Sequence, residues 1–324
     1  MRKTCIIRCV AFLCILALFL GSLSWVFYPK IRDWDHGMNN PRIWSFQSEP
    51  KNSLDVLAIG DSLLMCGYSP LHLWRQAQIT GFNACTGNQR LTLSLRMLEG
   101  FCREQSPKVV LLEADSLFLT VESKDFFLDR IASRLPVLEY HDNWKIFSPK
   151  NFLRRPDYSF SNPEKGTHFL FDQNPMLPED PNYMEDRGES ASIDRTNRFY
   201  FQKIADLCQK QRIQLVLVSV PSPTLWSLAR HNAVQALAEK QGIPYLDMNL
   251  EDGLIDWSTD RSTEGDHLNY LGTQKVTAFL GDFLRSTGLF PAEHPAQVCQ
   301  AWDTAFQNLE SSISEQLGSG TEDG

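Results

Sequence analysis

The sequence lacks several patterns that would place it in common functional classes. Basic residues are not in excess, because 31 Lys and Arg stand against 39 Asp and Glu, for a formal net charge of −8. A general nucleic-acid binder needs a basic surface to displace counterions, so this class is excluded. No GxGxxG motif follows the first predicted strand, which argues against a dinucleotide-binding domain.

Paired cysteines and clustered metal ligands are also missing. The eight cysteines are irregularly spaced and form no CxxC motif, and only five of them lie beyond the N-terminal apolar segment. This pattern indicates neither a disulfide framework nor a zinc site. We therefore expect no metal and no cofactor.

The overall composition is that of a globular protein. The chain has 324 residues, of which 43% are hydrophobic and 22% are charged, close to globular averages. Its length allows one large domain or two ordinary ones. The mean hydropathy of −0.27 excludes a polytopic membrane protein.

One segment is apolar enough to need a bilayer. Residues 9–28 carry no charge, and twenty such residues are about enough to cross a ~30 Å hydrocarbon core as a helix. Basic side chains precede this segment at Arg2, Lys3 and Arg8. The positive-inside rule therefore predicts that residues 1–8 are a cytoplasmic tail and that the rest of the chain is extracytoplasmic.

We interpret this segment as an uncleaved signal anchor of a single-pass cell-membrane protein. A cleaved signal peptide is the alternative, because Ser22 and Ser24 form a small-x-small cleavage site. The apolar run continues beyond that site through residues 25–27, which favours the anchor.

The extracytoplasmic part is predicted to be a stalk over 29–52, an α/β domain over 53–288 and a C-terminal tail over 289–324, unstructured beyond about 308. Short apolar runs predict strands at 54–59, which ends before Gly60, at 108–112, at 214–220, which ends before Pro221, and at 243–248, which follows Gly242. Amphipathic patterns predict helices at 70–79, 91–105, 196–211 and 225–241, and one after Gly272. Strands that alternate with helices predict a parallel sheet covered on both faces.

Residues 120–195 interrupt this alternation. They are rich in Pro, Asn, Asp and aromatic residues and are too long for a plain loop, so we predict a lid or a binding rim. Within them, His141 and Trp144 are candidate substrate contacts, since a histidine and a stacking tryptophan suit a sugar ring. Aromatic packing beneath a long loop is the alternative.

The first candidate for chemistry follows the first predicted strand. Ser62, in Gly60-Asp61-Ser62, is expected at the carboxyl end of that strand, where α/β sheets bind ligands. The free N–H groups of the following helix would stabilise negative charge that develops there. The alternative is that Ser62 is an ordinary helix N-cap.

The second candidate lies about two hundred residues downstream. A serine nucleophile needs a base, and the base needs a carboxylate that holds its tautomer. His267 stands directly before a predicted helix, with Glu264 and Asp266 just ahead of it. Either acid can reach the imidazole across a tight turn, and the sequence does not choose between them.

Three segments resemble the sequence blocks of the SGNH/GDSL hydrolase family, in order over about residues 51–286. They are Gly60-Asp61-Ser62, Asn83-Ala84-Cys85-Thr86-Gly87-Asn88, and Asp266-His267-Leu268-Asn269 followed by Gly272. The resemblance implies a three-layer, flavodoxin-like α/β fold with a parallel sheet. It also implies that Ser62 is the nucleophile and an oxyanion donor, Gly87 a second donor and His267 the base.

A narrower resemblance concerns membrane-anchored bacterial members related to D-alanyl transfer and polysaccharide O-acetylation proteins. The residues that carry it are 53–56, 70–74 and 107–110. This likeness implies a multispanning membrane acyltransferase as a partner.

Two positions depart from the family pattern. Glu264 stands where the family has the Asp of its Asp-x-x-His block, and Asp115 stands where it has an oxyanion-donating Asn. A carboxylate aimed at an oxyanion would repel it. Asp115 is therefore protonated, or points elsewhere, or the site uses only two N–H donors. Losing one such donor typically costs ~10²–10³ in rate.

The sequence thus predicts an extracytoplasmic serine esterase or O-acyltransferase that acts on acyl esters of a cell-envelope glycan. The alternative is a noncatalytic protein of the same fold that binds a glycan or serves as a scaffold in an acyl-transfer complex. Asp115 is the main support for this alternative.

Overall fold

A computed structural model describes residues 2–31, 33, 35–120, 131, 135–174, 177, 179–290 and 293–319. The chain forms two compact units. The first unit comprises Met1–Pro41 and Val121–Phe160, and the second comprises Arg42–Thr120 and Ser161–Gly324.

The second unit is built on a five-stranded parallel sheet with the strand order β2-β1-β3-β4-β5. Its strands are β1 (Val56–Ile59), β2 (Gly81–Asn83), β3 (Val109–Glu113), β4 (Gln214–Ser219) and β5 (Tyr245–Asp247). This order is that of flavodoxin-like sheets, so the predicted fold class is confirmed. The sequence did not predict β2, because three residues with one large apolar side chain carry no strand pattern.

Helices cover the sheet, as predicted from the alternation of strands and helices. The described α-helices from Pro41 onwards, apart from Pro136–Glu139, are α2 (Pro41–Trp44), α3 (Ser62–Gly67), α4 (Pro70–Ala77), α5 (Leu91–Phe101), α7 (Arg195–Gln211), α8 (Leu228–Gln241), α9 (Tyr270–Ser286) and α10 (Ala296–Ser319). Alternate residues of β1, β3 and β4 pack with buried side chains of α3, α4 and α9. Helices α5 and α7 pack against each other.

The first unit contains α1 (Arg2–Phe27), α6 (Pro136–Glu139) and the 3-10 helices His141–Ile146 and Pro149–Phe152. In the described part of the chain, one helix is long and apolar enough to cross a membrane by length and composition, namely Lys3–Phe27 of α1, in which an 18-residue window has a mean hydropathy of 2.5. An anchor and a signal peptide both satisfy that criterion.

Two predicted segments differ in the structure. Residues 42–52 of the predicted stalk belong to the α/β unit, because the fully buried Phe46 packs against Phe82 and Phe101. The insertion predicted over 120–195 is divided between the two units, with 121–160 in the first and the remainder in the second.

The prediction that the chain is unstructured beyond about 308 is wrong for the residues up to 319, which continue helix α10. Trp302, Phe306, Leu309 and Ile313 are buried, and the Trp302 ring lies 5.8 Å from that of Trp74. Their spacing of four, three and four residues is typical of an amphipathic helix, and the prediction of an unstructured tail did not take this pattern into account. Residues 320–324 of the predicted tail lie outside the described residues.

Candidate functional site

The carboxyl ends of the parallel strands define the edge where an α/β sheet binds ligands. Ser62 lies at this edge as the first residue of α3, directly after β1. The N-cap of α3 is Asp61, whose carboxylate accepts from Leu63 N at 3.1 Å. The alternative role of Ser62 as a helix cap is therefore wrong, and its half-exposed side chain is not used for capping.

Gly60 makes the turn before Ser62 possible. Its φ is +144°, a conformation that L side chains rarely adopt. A Cβ atom at this position would lie 2.3 Å from the Cβ of Glu113 on the neighbouring strand. The close approach of β1 and β3 at this point therefore requires a glycine.

The turn that carries Gly87 follows β2 and is bound to the Ser62 turn. Ala84 N donates to the carbonyl of Ala58 at 2.8 Å, and Thr86 N donates to the carbonyl of Gly60 at 3.2 Å. Gly87 itself is exposed. Two of the predicted oxyanion donors therefore belong to adjoining turns.

Helix α9 brings the His267 segment to the same edge. Thr273 in its first turn donates from Oγ1 to the carbonyl of Cys66 in α3 at 2.5 Å. One turn later, Thr277 Oγ1 accepts from Ser69 N at 3.0 Å. His267 precedes the first residue of α9 by three positions, and Ser62 is the first residue of α3. The two segments that were predicted to meet therefore lie at the starts of helices that pack together.

The imidazole of His267 is oriented by a backbone oxygen. Its Nδ1 lies 2.5 Å from the carbonyl oxygen of Glu264, across a turn in which Gly265 has a φ of +68°. A carbonyl oxygen only accepts hydrogen bonds, so Nδ1 carries the proton. In the neutral imidazole, the lone pair that a general base needs is then on Nε2.

Asp266, one of the two predicted orienting acids, holds the loop instead. Its buried carboxylate accepts from Ser222 Oγ at 2.8 Å, from Thr224 N at 2.5 Å and from Thr224 Oγ1 at 2.8 Å. Arg261 also pairs with it at 3.4 Å. These contacts tie the His267 loop to the segment after β4, and they engage both oxygens of the carboxylate.

Residues 165–174, which we call the strap, connect the three segments of the site. The strap begins beside β2, where Asn83 N donates to the carbonyl of Lys165 at 2.9 Å, and then reaches α3, where His168 N donates to the carbonyl of Met65 at 3.1 Å. At its end, Asp172 accepts from Ser262 Oγ at 2.8 Å and from Thr263 N at 2.5 Å. The hydroxyl of Thr263 also contacts this carboxylate.

A buried group of acids surrounds the position of Asp115. The Asp115 carboxylate contacts the guanidinium of Arg230 and hydrogen-bonds the side chain of Asp61. Burial, followed by the charge of Asp115, raises the pKa of Asp61 well above its ordinary value. Burial and the charge of Asp61 likewise raise the pKa of Glu113. Of the three alternatives for Asp115, this geometry corresponds to a carboxylate directed at another partner, Arg230.

Sequence reasoning missed Arg230 and Asp172. Arg230 is 115 positions from Asp115, and Asp172 is 90 positions from Ser262. Neither residue belongs to a local motif, so no pattern in the sequence could have found them.

His141 and Trp144 belong to the first unit, whereas the site lies in the second. Both side chains are exposed, and His141 Nδ1 lies 3.1 Å from the carbonyl of Leu138. Their contact with substrate stays a prediction.

Within the described ranges, no group of three or more His, Cys, Asp and Glu side chains is placed to hold a metal ion. Two cysteines lie close to the site. Burial raises the pKa of Cys66 to about 12 and also raises that of Cys85. These thiols are therefore protonated at neutral pH and are poor nucleophiles.

No family model and no curated protein matches the chain. Among solved structures, the chain is similar to a Desulfitobacterium hafniense protein described as lipolytic and of the G-D-S-L family, at 13% identity over 70% of this chain and 98% of that chain, with a TM-score of 0.40. It is also similar to a family 3 carbohydrate esterase from Clostridium thermocellum, at 12% identity over 72% and 98%, with a TM-score of 0.38. A lipase/acylhydrolase from Enterococcus faecalis gives 10% identity over 74% and 100%, with a TM-score of 0.37.

Proposed function

We propose that the chain is an extracytoplasmic serine esterase or O-acyltransferase in which Ser62 is the nucleophile and His267 the general base. The observation that carries this proposal is the hydrogen bond between His267 Nδ1 and the Glu264 carbonyl, because in the neutral imidazole it selects the tautomer whose lone pair is on Nε2, at the edge where Ser62 begins α3. A serine in that position needs such a base to become nucleophilic.

In the proposed reaction, Ser62 Oγ attacks the acyl carbonyl carbon while His267 Nε2 takes the hydroxyl proton. The backbone N–H groups of Ser62 and Gly87 hold the tetrahedral oxyanion. Collapse breaks the bond to the alcohol, which leaves with the proton from His267. Water or a glycan hydroxyl then attacks the acyl-enzyme, again with His267 as the base. Hydrolysis and transfer therefore use the same residues and differ only in the acceptor.

The substrate that we propose is an acyl ester of a cell-envelope glycan. This part of the proposal rests on the apolar helix α1 (Arg2–Phe27), which would hold the chain in the cell membrane with its N-terminus in the cytoplasm and the α/β unit outside. A multispanning membrane acyltransferase is the partner that we propose for the transfer reaction. Removal of α1 as a signal peptide would release the chain from the membrane.

A noncatalytic role as a glycan-binding or scaffold protein is the second candidate. The contact of the Asp115 carboxylate with Arg230 favours it, because this position then supplies no amide donor to an oxyanion. A carbonyl oxygen in place of a carboxylate behind His267 favours it as well, since a carbonyl stabilises the imidazolium less than a charge does.

A fluorophosphonate probe tests the proposal on the full chain in detergent. We expect stoichiometric labelling at Ser62, abolished in Ser62→Ala and slowed at least about 100-fold in His267→Ala, the range expected for loss of a general base. Ser106→Ala is the matched control, because Ser106 is an exposed serine just before β3, and its labelling should equal that of the parent chain. A folded parent chain that takes up no probe would support the noncatalytic role.

A further inference from the structure

The first unit exposes a concentration of large apolar side chains. In residues 136–155, which we call the collar, the exposed fractions are 89% for Leu153, 62% for Trp144 and 55% for Phe152. Leu138, Ile146 and Phe147 are also exposed. Single exposed apolar residues are normal, but a group of this kind marks a surface that contacts a protein, a ligand or a membrane.

The collar is attached to the end of α1. Val137 N donates to Ser24 Oγ at 3.2 Å, Asn143 Nδ2 donates to the carbonyl of Phe27 at 2.9 Å, and Trp25 Nε1 donates to the carbonyl of Phe152 at 3.3 Å. Two aromatic pairs join the same segments, Tyr28 with Tyr140 and Phe27 with Phe147. The collar is therefore held at the level of the last turns of α1.

That level is the one where a bilayer would end. Helix α1 has 26 residues and is about 39 Å long at a rise of ~1.5 Å per residue, compared with a hydrocarbon core of ~30 Å. A spanning α1 would place its last turns, and the collar with them, near the outer interface. Phe152 also lines an apolar groove of about 820 Å³ with Leu18 and Gly21 of α1, which lie deeper in the span.

Basic side chains stand among the exposed apolar ones. Lys150, Arg154 and Arg155 are exposed, while Lys145 pairs with Asp142 at 3.0 Å. Apolar side chains interleaved with Lys and Arg are the composition of segments that lie in the headgroup region of anionic membranes. Charge and apolar exposure thus favour the same occupant, a lipid leaflet.

We propose that the collar lies in the outer leaflet of the membrane, with Trp144, Phe152 and Leu153 among the acyl chains and its basic residues against lipid phosphates. This inference rests on the anchor part of the proposed function and not on the esterase site. It gives Trp144 a lipid contact instead of a sugar contact.

Photo-crosslinking of the full chain tests the proposal. The photoreactive residue p-benzoylphenylalanine replaces Leu153 or Trp144, and the chain is reconstituted in vesicles of phosphatidylcholine and phosphatidylglycerol. Leu13, an exposed residue of α1, reports on the anchor, and Phe199, an exposed phenylalanine of the second unit, is the matched control. We expect lipid adducts at positions 153, 144 and 13, with yields about tenfold above that at position 199.

The possible results separate the collar from the anchor. Adducts at Leu13 but not at Leu153 would overturn the proposal and leave the anchor in place, as would crosslinks from Leu153 to a second copy of the chain or to another protein. No lipid adduct at either position would overturn the anchor as well. A separate comparison uses the triple variant Lys150→Glu, Arg154→Glu and Arg155→Glu, in which the yield at Leu153 should fall about threefold. An unchanged yield would exclude anionic lipid as the occupant.

Discussion

A backbone carbonyl oxygen orients the His267 imidazole. This contact determines which substitutions near His267 should affect the rate of the reaction. A carboxylate partner can be removed by a single substitution, but a main-chain carbonyl stays when the side chain changes. The Glu264 carboxyl group is exposed, while its carbonyl lies 2.5 Å from Nδ1. The side chain of Glu264 is therefore not needed to hold the imidazole tautomer.

We accordingly expect Glu264→Gln to keep the rate of ester turnover within about threefold of the parent rate. If the Glu264 carboxylate were the acid of a triad, the amide variant would lose up to ~10⁴ in rate. Steady-state kinetics with a chromogenic acetate ester make the measurement, and His267→Ala sets the inactive reference. A loss of about 100-fold or more in Glu264→Gln would contradict the backbone assignment.

The partners of Asp115 explain how a carboxylate can occupy a position where it would repel an oxyanion. Its contact with Arg230 neutralises one negative charge. Its hydrogen bond with Asp61 links it to the residue before Ser62. The raised pKa of Asp61 means that this pair carries less negative charge than two free carboxylates. Repulsion of an oxyanion is correspondingly weaker than the sequence alone suggests.

The substitution Asp115→Asn therefore should not restore activity. Its amide oxygen would replace the carboxylate towards Arg230, and its NH₂ group would face Asp61. We expect turnover within about threefold of the parent rate and a lower free energy of unfolding, by about 1–3 kcal/mol, because Arg230 loses a charged partner. Chemical denaturation and ester kinetics measure the two effects. An increase in turnover of about tenfold or more would show that the position is a lost oxyanion donor.

The strap, at the scale of elements, holds the loop that carries His267. Hydrogen bonds and ring contacts join it to that loop: Asp172 accepts from Ser262 and Thr263, Tyr270 N donates to the carbonyl of Leu170 at 2.7 Å, and the Tyr270 ring packs against those of Phe169 and Phe171. The hydrogen bond from the Thr263 hydroxyl is the chief cause that lowers the pKa of Asp172. The carboxylate is thus ionised at neutral pH and acts as a positioning group.

Replacing Asp172 with Ala should lower the first-order rate of ester turnover about tenfold while KM stays within about twofold. The reason is that a displaced base affects the chemical step, whereas substrate contacts are unchanged. Asp206→Ala, which removes an exposed acid of α7, is the control and should retain the parent rate. Asp172→Asn keeps one accepting oxygen and should fall between the two. A rise in KM without a change in kcat would assign Asp172 to substrate binding instead.

At the scale of the whole molecule, each of the two compact units combines segments that are far apart in the sequence. The predicted insertion contributes residues 121–160 to the unit that contains α1 and the remaining residues to the α/β unit. The first part contains the collar, and the second part contains the strap. A segment that interrupts the pattern of a fold can therefore serve two separate purposes.

Much of the fold was predictable because its signals are local. The apolar runs at β1, β3 and β4 lie within a few residues of their predicted positions, and helix α7 begins one residue before its predicted start. Strand β2 and the buried face of α10 were missed. Strand β2 is too short to show an alternation of apolar and polar residues. The apolar residues of α10 recur at helical spacing, but they lie in a mostly polar stretch.

The sequence alone determined most of the helices and strands and which residues carry reactive groups. The patterns that predicted these features involve residues only a few positions apart. They are the Gly60-Asp61-Ser62 turn, the apolar helix α1 and the position of His267 before α9. Only the tertiary structure decided which partners these groups have: the Glu264 carbonyl for His267, Arg230 for Asp115 and the Ser262 loop for Asp172. The physical reason is that a hydrogen bond or ion pair forms only where folding brings two groups within about 3 Å, and the last two of these pairs join positions 115 and 90 residues apart.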